Sequence, residues 1–346
     1  MGVRKTPYPV NLQGGFSGQF SPGGQIFYVG ASGYAAHDGK APNDSNDGQT
    51  PGTCLATIQA ALNKCVTGRG DTVAILPGSY TVTAALTMTS DDVTLCSAHP
   101  VGPRSRGPVV IVNATDVNTL TINANDCVVD GLTFDDNVAT ATADTAIIAV
   151  NTASTATDYT GTIIRNCYFD MLGSDGDRDG ITLGLAGDTT DGALNSLVEG
   201  CVFLDCDQDA LVIAAGSEHS VVRNCHIYDV AHTTRYGVEC VGASCLIEDS
   251  DILSSGTACI NVGLAAARTQ IHNCNLHAWG ADTFGIVAIN TATMHTAGNW
   301  ITATAAGNLI DYTTDNTTPS ANADIGNIFA ANAGDTALVT PTIDGS

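Results

Sequence analysis

Short apolar runs alternate with polar residues along most of the chain, and one six-residue pattern recurs. Its positions are apolar, polar, Asn/Asp/Gly, small, any residue, apolar. It reads VDGLTF at 129–134, IRNCYF at 164–169, VEGCVF at 198–203, VRNCHI at 222–227, IEDSDI at 247–252 and IHNCNL at 271–276. Weaker copies are TAGNWI at 296–301 and DIGNIF at 324–329. Anchored at Gly131, Cys167, Cys201, Cys225, Ser250, Cys274, Asn299 and Asn327, successive copies lie 36, 34, 24, 25, 24, 25 and 28 residues apart. A second apolar run follows many of the copies: GITLGL, ALVIAA, GVECVG, CINVGL and GIVAIN. Such a period, with strand-like alternation and Gly, Asn and Asp at the turns, predicts a solenoid with two or three short strands per coil. Coils stack at about 4.8 Å, so about ten of them make a rod about 50 Å long. The expected fold class is all-β, a right-handed parallel β-helix.

One segment breaks this pattern. In TIQAALNKC, Ile58, Ala61, Leu62 and Cys65 share a helical face, and TVAILPGSYTV follows with two strand-like pieces around a Pro-Gly turn. A solenoid's first coil exposes its apolar interior and an unpaired strand edge, so a helix at Thr57–Cys65 is expected to cap that end. The order DSNDG, ATIQAAL, GDTVAILPGSY, from Asp44 to Tyr80, resembles the start of pectate lyase-like parallel β-helix proteins. The resemblance extends from Tyr28 to about Phe329. It implies the fold and leaves activity open, because that superfamily includes lyases, hydrolases, phage tailspikes and non-enzymatic virion proteins. The chain divides into an extended arm (1–25), a cap and first coil (26–90), the β-helix (91–330) and a closing segment (331–346). The arm holds three prolines and six glycines, with Tyr8, Phe16 and Phe20 spaced among them. These suit it to ordering on a partner.

Charge narrows the partners. With 35 acidic and 12 basic residues the formal net charge is −23, which repels nucleic acid and anionic membrane. Only 14% of residues are charged and 44% are hydrophobic, as suits a solenoid with a small-polar surface. No apolar stretch follows Arg4 and Lys5 as in an export signal, and runs such as Ala210 to Ala215 are strand-sized, so membrane insertion is not expected.

The cysteines follow the repeat. Cys167, Cys201, Cys225 and Cys274 share one position, which Ser250 and Gly131 also fill, so the slot is expected to select small, buried groups. Reduced thiols and assembly in a reducing cytoplasm follow from this. Cys240 and Cys245 form a Cys-x4-Cys pair with no second pair to complete a zinc site. The eight histidines fall at no shared spacing and read as surface residues.

An acidic cluster is the candidate site. SDGDRDGITL holds Asp175, Asp177 and Asp179, and DCDQDALVI holds Asp205, Asp207 and Asp209. Aligning RDGITL with QDALVI puts Asp179 and Asp209 at one position of consecutive coils. The bland reading is Asp-rich turns. A second reading is a Ca²⁺ site at Asp175, Asp177 and Asp179, whose alternation matches the opening of a calcium loop. The twelfth position is Ala186 rather than a closing Glu, which excludes an EF-hand. A third reading is glycoside hydrolysis by paired carboxylates at Asp179 and Asp209. The stretch resembles polygalacturonases, whose Asn-Thr-Asp and Asp-Asp motifs these residues match singly. The second Asp of the pair reads Gln208 here, and the expected His reads Tyr236. A lyase needs a basic proton abstractor, and the central coils offer only Arg165, Arg178, Arg223, Arg235 and Arg268.

The leading expectation is a non-enzymatic, surface-exposed bacteriophage virion protein (a decoration, spike or fibre-like β-helix). It would be homotrimeric, dock on a capsid or tail protein through residues 1–25, and offer a surface to a host glycan. The alternative is a polysaccharide depolymerase using Asp179 and Asp209.

Overall fold

A computed structural model of the chain describes residues 23–33, 41–99, 102–136, 138, 145–151, 157–171, 178–185, 192–206, 208–230, 235–254, 256–263, 266–279, 284–288, 293–303, 310–312, 323–325 and 328–331. Three long parallel sheets run through them, of 11, 10 and 9 strands. The first sheet starts at Ile26–Val29 and Thr72–Ile75, the second at Gly78–Val82, the third at Leu86–Met88. Each coil visits them in that order, as in Leu197–Glu199, Val202–Leu204 and Leu211–Ile213. The fold is a right-handed parallel β-helix, as the repeat predicts.

Alternation along each short strand decides what points inward. On the first sheet, Val129, Ile164, Val198, Val222, Ile247 and Ile271 form one in-register column, all fully buried. On the second, Phe134, Phe169 and Phe203 stack with ring centroids 5.3 and 4.6 Å apart. Each such side chain contributes about 1.5–3 kcal/mol of burial, and like-on-like stacking repeats that gain in every coil.

The bends between sheets fix the repeat. Gly131, Asn166, Gly200, Asn224, Asp249 and Asn273 all have positive φ, between 49° and 70°. Asn, Asp and Gly tolerate that left-handed turn, which is why the pattern carries them there. Gly200 has a further reason, since a Cβ would lie 3.0 Å from the Pro103 Cβ.

Register corrects one anchor of the repeat. Ile164 pairs with Val129 and Tyr168 with Thr133, so Leu132, not Gly131, stands beside Cys167. Gly131 is the bend residue, and the slot after it is defined by more than size. Cys167 Sγ approaches the Arg165 carbonyl at 3.3 Å, Ser250 Oγ donates to Glu248 O at 2.9 Å, and Asn299 Nδ2 donates to Ile271 O at 2.9 Å. Short donors suit this corner because carbonyls such as those of Arg165 and Glu248, each bonded once to the neighbouring coil, keep a second lone pair. Leu132 fills it with apolar volume instead.

All twelve cysteines are free and buried. Cys240 Sγ faces the Gly242 carbonyl at 3.7 Å and Cys245 Sγ faces the Ser217 carbonyl at 3.6 Å. Among the described residues no group of three or more His, Cys, Asp or Glu side chains could hold a metal ion.

The capping helix is short, Ile58–Leu62, with Ile58, Ala61 and Leu62 buried. Thr57 is its N-cap, its hydroxyl accepting the Ala60 N–H at 3.2 Å. Asp44, from the DSNDG loop, accepts the N–H groups of Ala56 and Thr57 and the Thr57 hydroxyl. Tyr80 of the Pro-Gly-Ser-Tyr turn donates its hydroxyl to Leu76 O at 2.6 Å, tying the second sheet's first strand to the first sheet. A strap at 102–107 crosses several coils: Arg104 Nε donates to Asn224 O at 3.2 Å, and Arg106 pairs with Asp170 at 2.9 Å. Among the described residues no helix is long and apolar enough to cross a membrane.

Candidate functional site

The third sheet brings Asp179 and Asp209 together. They stand two residues ahead of the paired Ile181 and Leu211 on adjacent strands. The same column holds Asn118, Ala146 and Tyr236. Asn118, Asp179 and Asp209 each hold the next coil by its backbone. Asn118 Oδ1 accepts the Ala146 N–H at 2.9 Å, Asp179 Oδ1 the Asp209 N–H at 3.2 Å, and Asp209 Oδ1 the Tyr236 N–H at 2.6 Å. Thr182 also donates its hydroxyl to Asp179 Oδ2 at 3.1 Å. Asp179 is 9% exposed and Asp209 only 2%, so neither is a solvated turn residue.

Gly180 makes this packing feasible. A Cβ there would lie 2.5 Å from the Ala210 carbonyl oxygen and 2.8 Å from the Phe203 ring. The strand therefore lies against the phenylalanine stack, with Asp179 at its outer edge.

Around the column lies a cleft of about 330 Å³, at the small end for a ligand pocket. Asp179, Gln208, Asp209, Arg235 and Glu239 contribute polar groups together with Asn118, Thr145 and Thr182, and Ala149 and Val212 form part of its apolar floor. Glu239 stands outward between inward Val238 and Cys240, and its Oε1 accepts a long hydrogen bond, 3.5 Å, from Asn261 Nδ2. Burial first, then the Glu239 and Asp209 carboxylates, pushes the Tyr236 phenol above its ordinary pKa. The cleft thus offers three carboxylates, one guanidinium, two amides and two hydroxyls.

Asp179, Asp209, Gln208 and Tyr236, the residues singled out by likeness to polygalacturonase motifs, do gather here. Asp175, Asp177 and Asp207 lie outside the described residues, so the proposed Ca²⁺ set is represented by Asp179 alone. Asp205 occupies a bend, φ 54°, and donates its N–H to Tyr228 O. Arg178, counted above with the cations of the central coils, does not face the cleft. It is fully buried, with Nη2 on the Val117 carbonyl at 2.6 Å and Nε 3.4 Å from Asp136 Oδ2. Arg165 and Arg223 are tied to Asp130 and Glu199 at 2.9 and 2.8 Å. Glu239 and Asn118 escaped the sequence reading. Alternation around Val238 and Cys240 is the signal that places Glu239 outside.

Residues 109–276 match a family described as the right handed beta helix region. A comparison with curated protein sequences returns no match. Among solved structures, XylC in complex with xylose aligns at a TM-score of 0.56 and 11% identity, over 88% of this chain and 70% of that one. Pectin methylesterase from Aspergillus niger aligns at 0.48 and 15% identity, over 92% of this chain and 89% of that one. ORF18 of Geobacillus virus E2 aligns at 0.45 and 13% identity, over 80% of this chain and 57% of that one. At 11% identity the likeness to XylC is one of fold alone. The family match and the coil register agree on the fold: over the matched residues the chain is a right-handed parallel β-helix.

Proposed function

We propose that this chain is a non-enzymatic structural β-helix of a bacteriophage virion, displayed on the particle surface. The observation that carries the non-enzymatic part is the occupation of Asp179 Oδ1 and Asp209 Oδ1 by backbone N–H groups of the next coil. Asn118, which has no acid–base chemistry, does the same work in the same column. A carboxylate committed to a backbone N–H is stabilised as the anion and is a poor proton donor to a leaving group. The net charge of −23 and the low share of charged residues suit a soluble, weakly adhesive surface.

Residues 1–25 would be the attachment segment, with Phe16 and Phe20 as anchors, each contributing about 1.5–3 kcal/mol if buried on a capsid or tail protein. Three chains side by side would supply three such anchors, and closed symmetry would prevent runaway association. The experiment adds protein lacking residues 2–24 to particles devoid of the chain and measures retention after sedimentation. Loss of retention, with light scattering at three times the chain mass, supports the reading. Full retention and a monomer mass refute both the arm and the trimer.

A second reading rests on the cleft itself. Asp179, Asp209 and Glu239 meet Arg235 in a concave site, which favours a host polysaccharide as ligand or as the substrate of a depolymerase. Clearing of host capsule by the purified chain would establish that reading.

A further inference from the structure

The outward face of the second sheet carries exposed aromatic residues, on a different sheet from the cleft's column. Trp279 is 65% exposed, Trp300 45% and Tyr228 37%. Along Asn275–Ala278 and into Trp279, Asn275, His277 and Trp279 alternate outward against buried Leu276 and Ala278. Trp300 registers with Asn275 and Thr302 with His277, while Asp251 stands beside both His226 and Asn275. Four residues along the strand and one coil across put the two tryptophan Cα atoms about 14 Å apart.

The His277–Thr302 pair stands between the two indoles, and a polar chain continues from it onto two earlier coils. His277 Nδ1 is 2.8 Å from Thr302 Oγ1, and its Nε2 is 3.6 Å from Asp251 Oδ1. Asp251 Oδ2 lies 3.9 Å from His226 Nδ1, which also meets the Tyr228 hydroxyl. These contacts hold donors and acceptors in fixed places across four coils.

We infer that this face binds a neutral oligosaccharide, with Trp279 and Trp300 stacking on sugar rings and Asp251, Asn275 and His277 hydrogen-bonding its hydroxyls. A pyranose ring has an apolar face and a rim of hydroxyls, which matches apolar rings set around a polar strip. A second copy of this chain fits less well, because closing on it would strip water from Asp251 and two imidazoles without supplying partners. It would also bring together two chains with 35 acidic and 12 basic residues each. The same excess disfavours an acidic glycan. The inference is independent of the cleft and adds a ligand to the structural role proposed above.

The chain has two tryptophans, both on this face, so its indole emission, excited where its nine tyrosines do not absorb, reports the face alone. The experiment titrates full-length protein with cellohexaose, xylohexaose, maltohexaose and chitohexaose, following emission and its quenching by acrylamide. At least one sugar should shift the emission saturably and shield the indoles. By calorimetry, Trp300→Ala and Trp279→Ala should each weaken that sugar about tenfold while the melting temperature stays put. The shielding measurement needs no variant, so a poorly folding one leaves the test intact. Silence of the emission with all four sugars at millimolar concentration overturns the inference. So does binding undiminished in both variants, or an emission shift on dilution without sugar, which would identify a chain–chain interface.

Discussion

Asp209 holds the backbone N–H of Tyr236, one coil along the rod, through Oδ1 at 2.6 Å. Asp179 holds Asp209, and Asn118 holds Ala146, by the same contact. Two carboxylates and one amide doing one task in one column indicate that the column needs an acceptor oxygen rather than a charge.

Substitution separates these requirements. Asp209→Ala leaves the Tyr236 N–H without its acceptor in a half-buried place and should cost about 1–3 kcal/mol. Asp209→Asn keeps an acceptor and should stay within about 1 kcal/mol of wild type. Thermal melting of both variants reads the difference. An Asn variant as unstable as the Ala variant would show that the charge itself matters.

The buried pair of Arg178 and Asp136 makes a second expectation. Both side chains are sealed from solvent, and burial pulls the Arg178 pKa below its ordinary value despite the neighbouring carboxylates of Asp136 and Asp116. Arg178→Ala should destabilise the chain by about 3–5 kcal/mol, because it strands a buried charge. Adding Asp136→Asn to that variant should recover part of the loss in denaturant melts. Additive losses would contradict an ion-pair role.

Much of this was legible from the residues, for a physical reason. Strand alternation and the coil period are local, so the β-helix, the cysteine ladder and the Asp179–Asp209 column could be read from spacing. The anchor slipped by one at Gly131 because a bend glycine imitates a small slot residue, and only register reveals Leu132. Arg178 looked available because its partner Asp136 lies 42 residues away. The strap was invisible for the same reason, since Arg104 meets Asn224 across 120 residues. Long-range pairing has no local period to betray it.

Acid should loosen the N-terminal end. Burial alone would raise the Asp71 carboxyl, but the Arg69 guanidinium and the N–H groups of Gln25 and Val66 outweigh it and hold the pKa below the ordinary range. A depressed folded pKa stabilises fully above the unfolded carboxylate value of about 4 and is lost as pH falls through the folded value. The melting-temperature gap between wild type and Asp71→Asn should therefore be widest above about pH 5 and shrink toward about pH 2. A gap independent of pH would remove this linkage.

Thiol chemistry follows from burial. Desolvation pushes Cys65, Cys127, Cys259 and Cys274 up to about 12, so little thiolate exists near neutral pH. Native protein should react sluggishly with a thiol reagent, and denatured protein should titrate all twelve cysteines. Recovery of several disulfides by mass spectrometry would contradict the ladder.

The most direct measurement of the central claim counts reducing ends released from capsule, xylan and polygalacturonate by wild type and by the Asp179→Asn/Asp209→Asn double variant. If the two aspartates are scaffold, wild type and variant release no more than the blank and melt within a few degrees of each other. Release by wild type that the equally stable double variant loses would make them catalytic and overturn the structural reading.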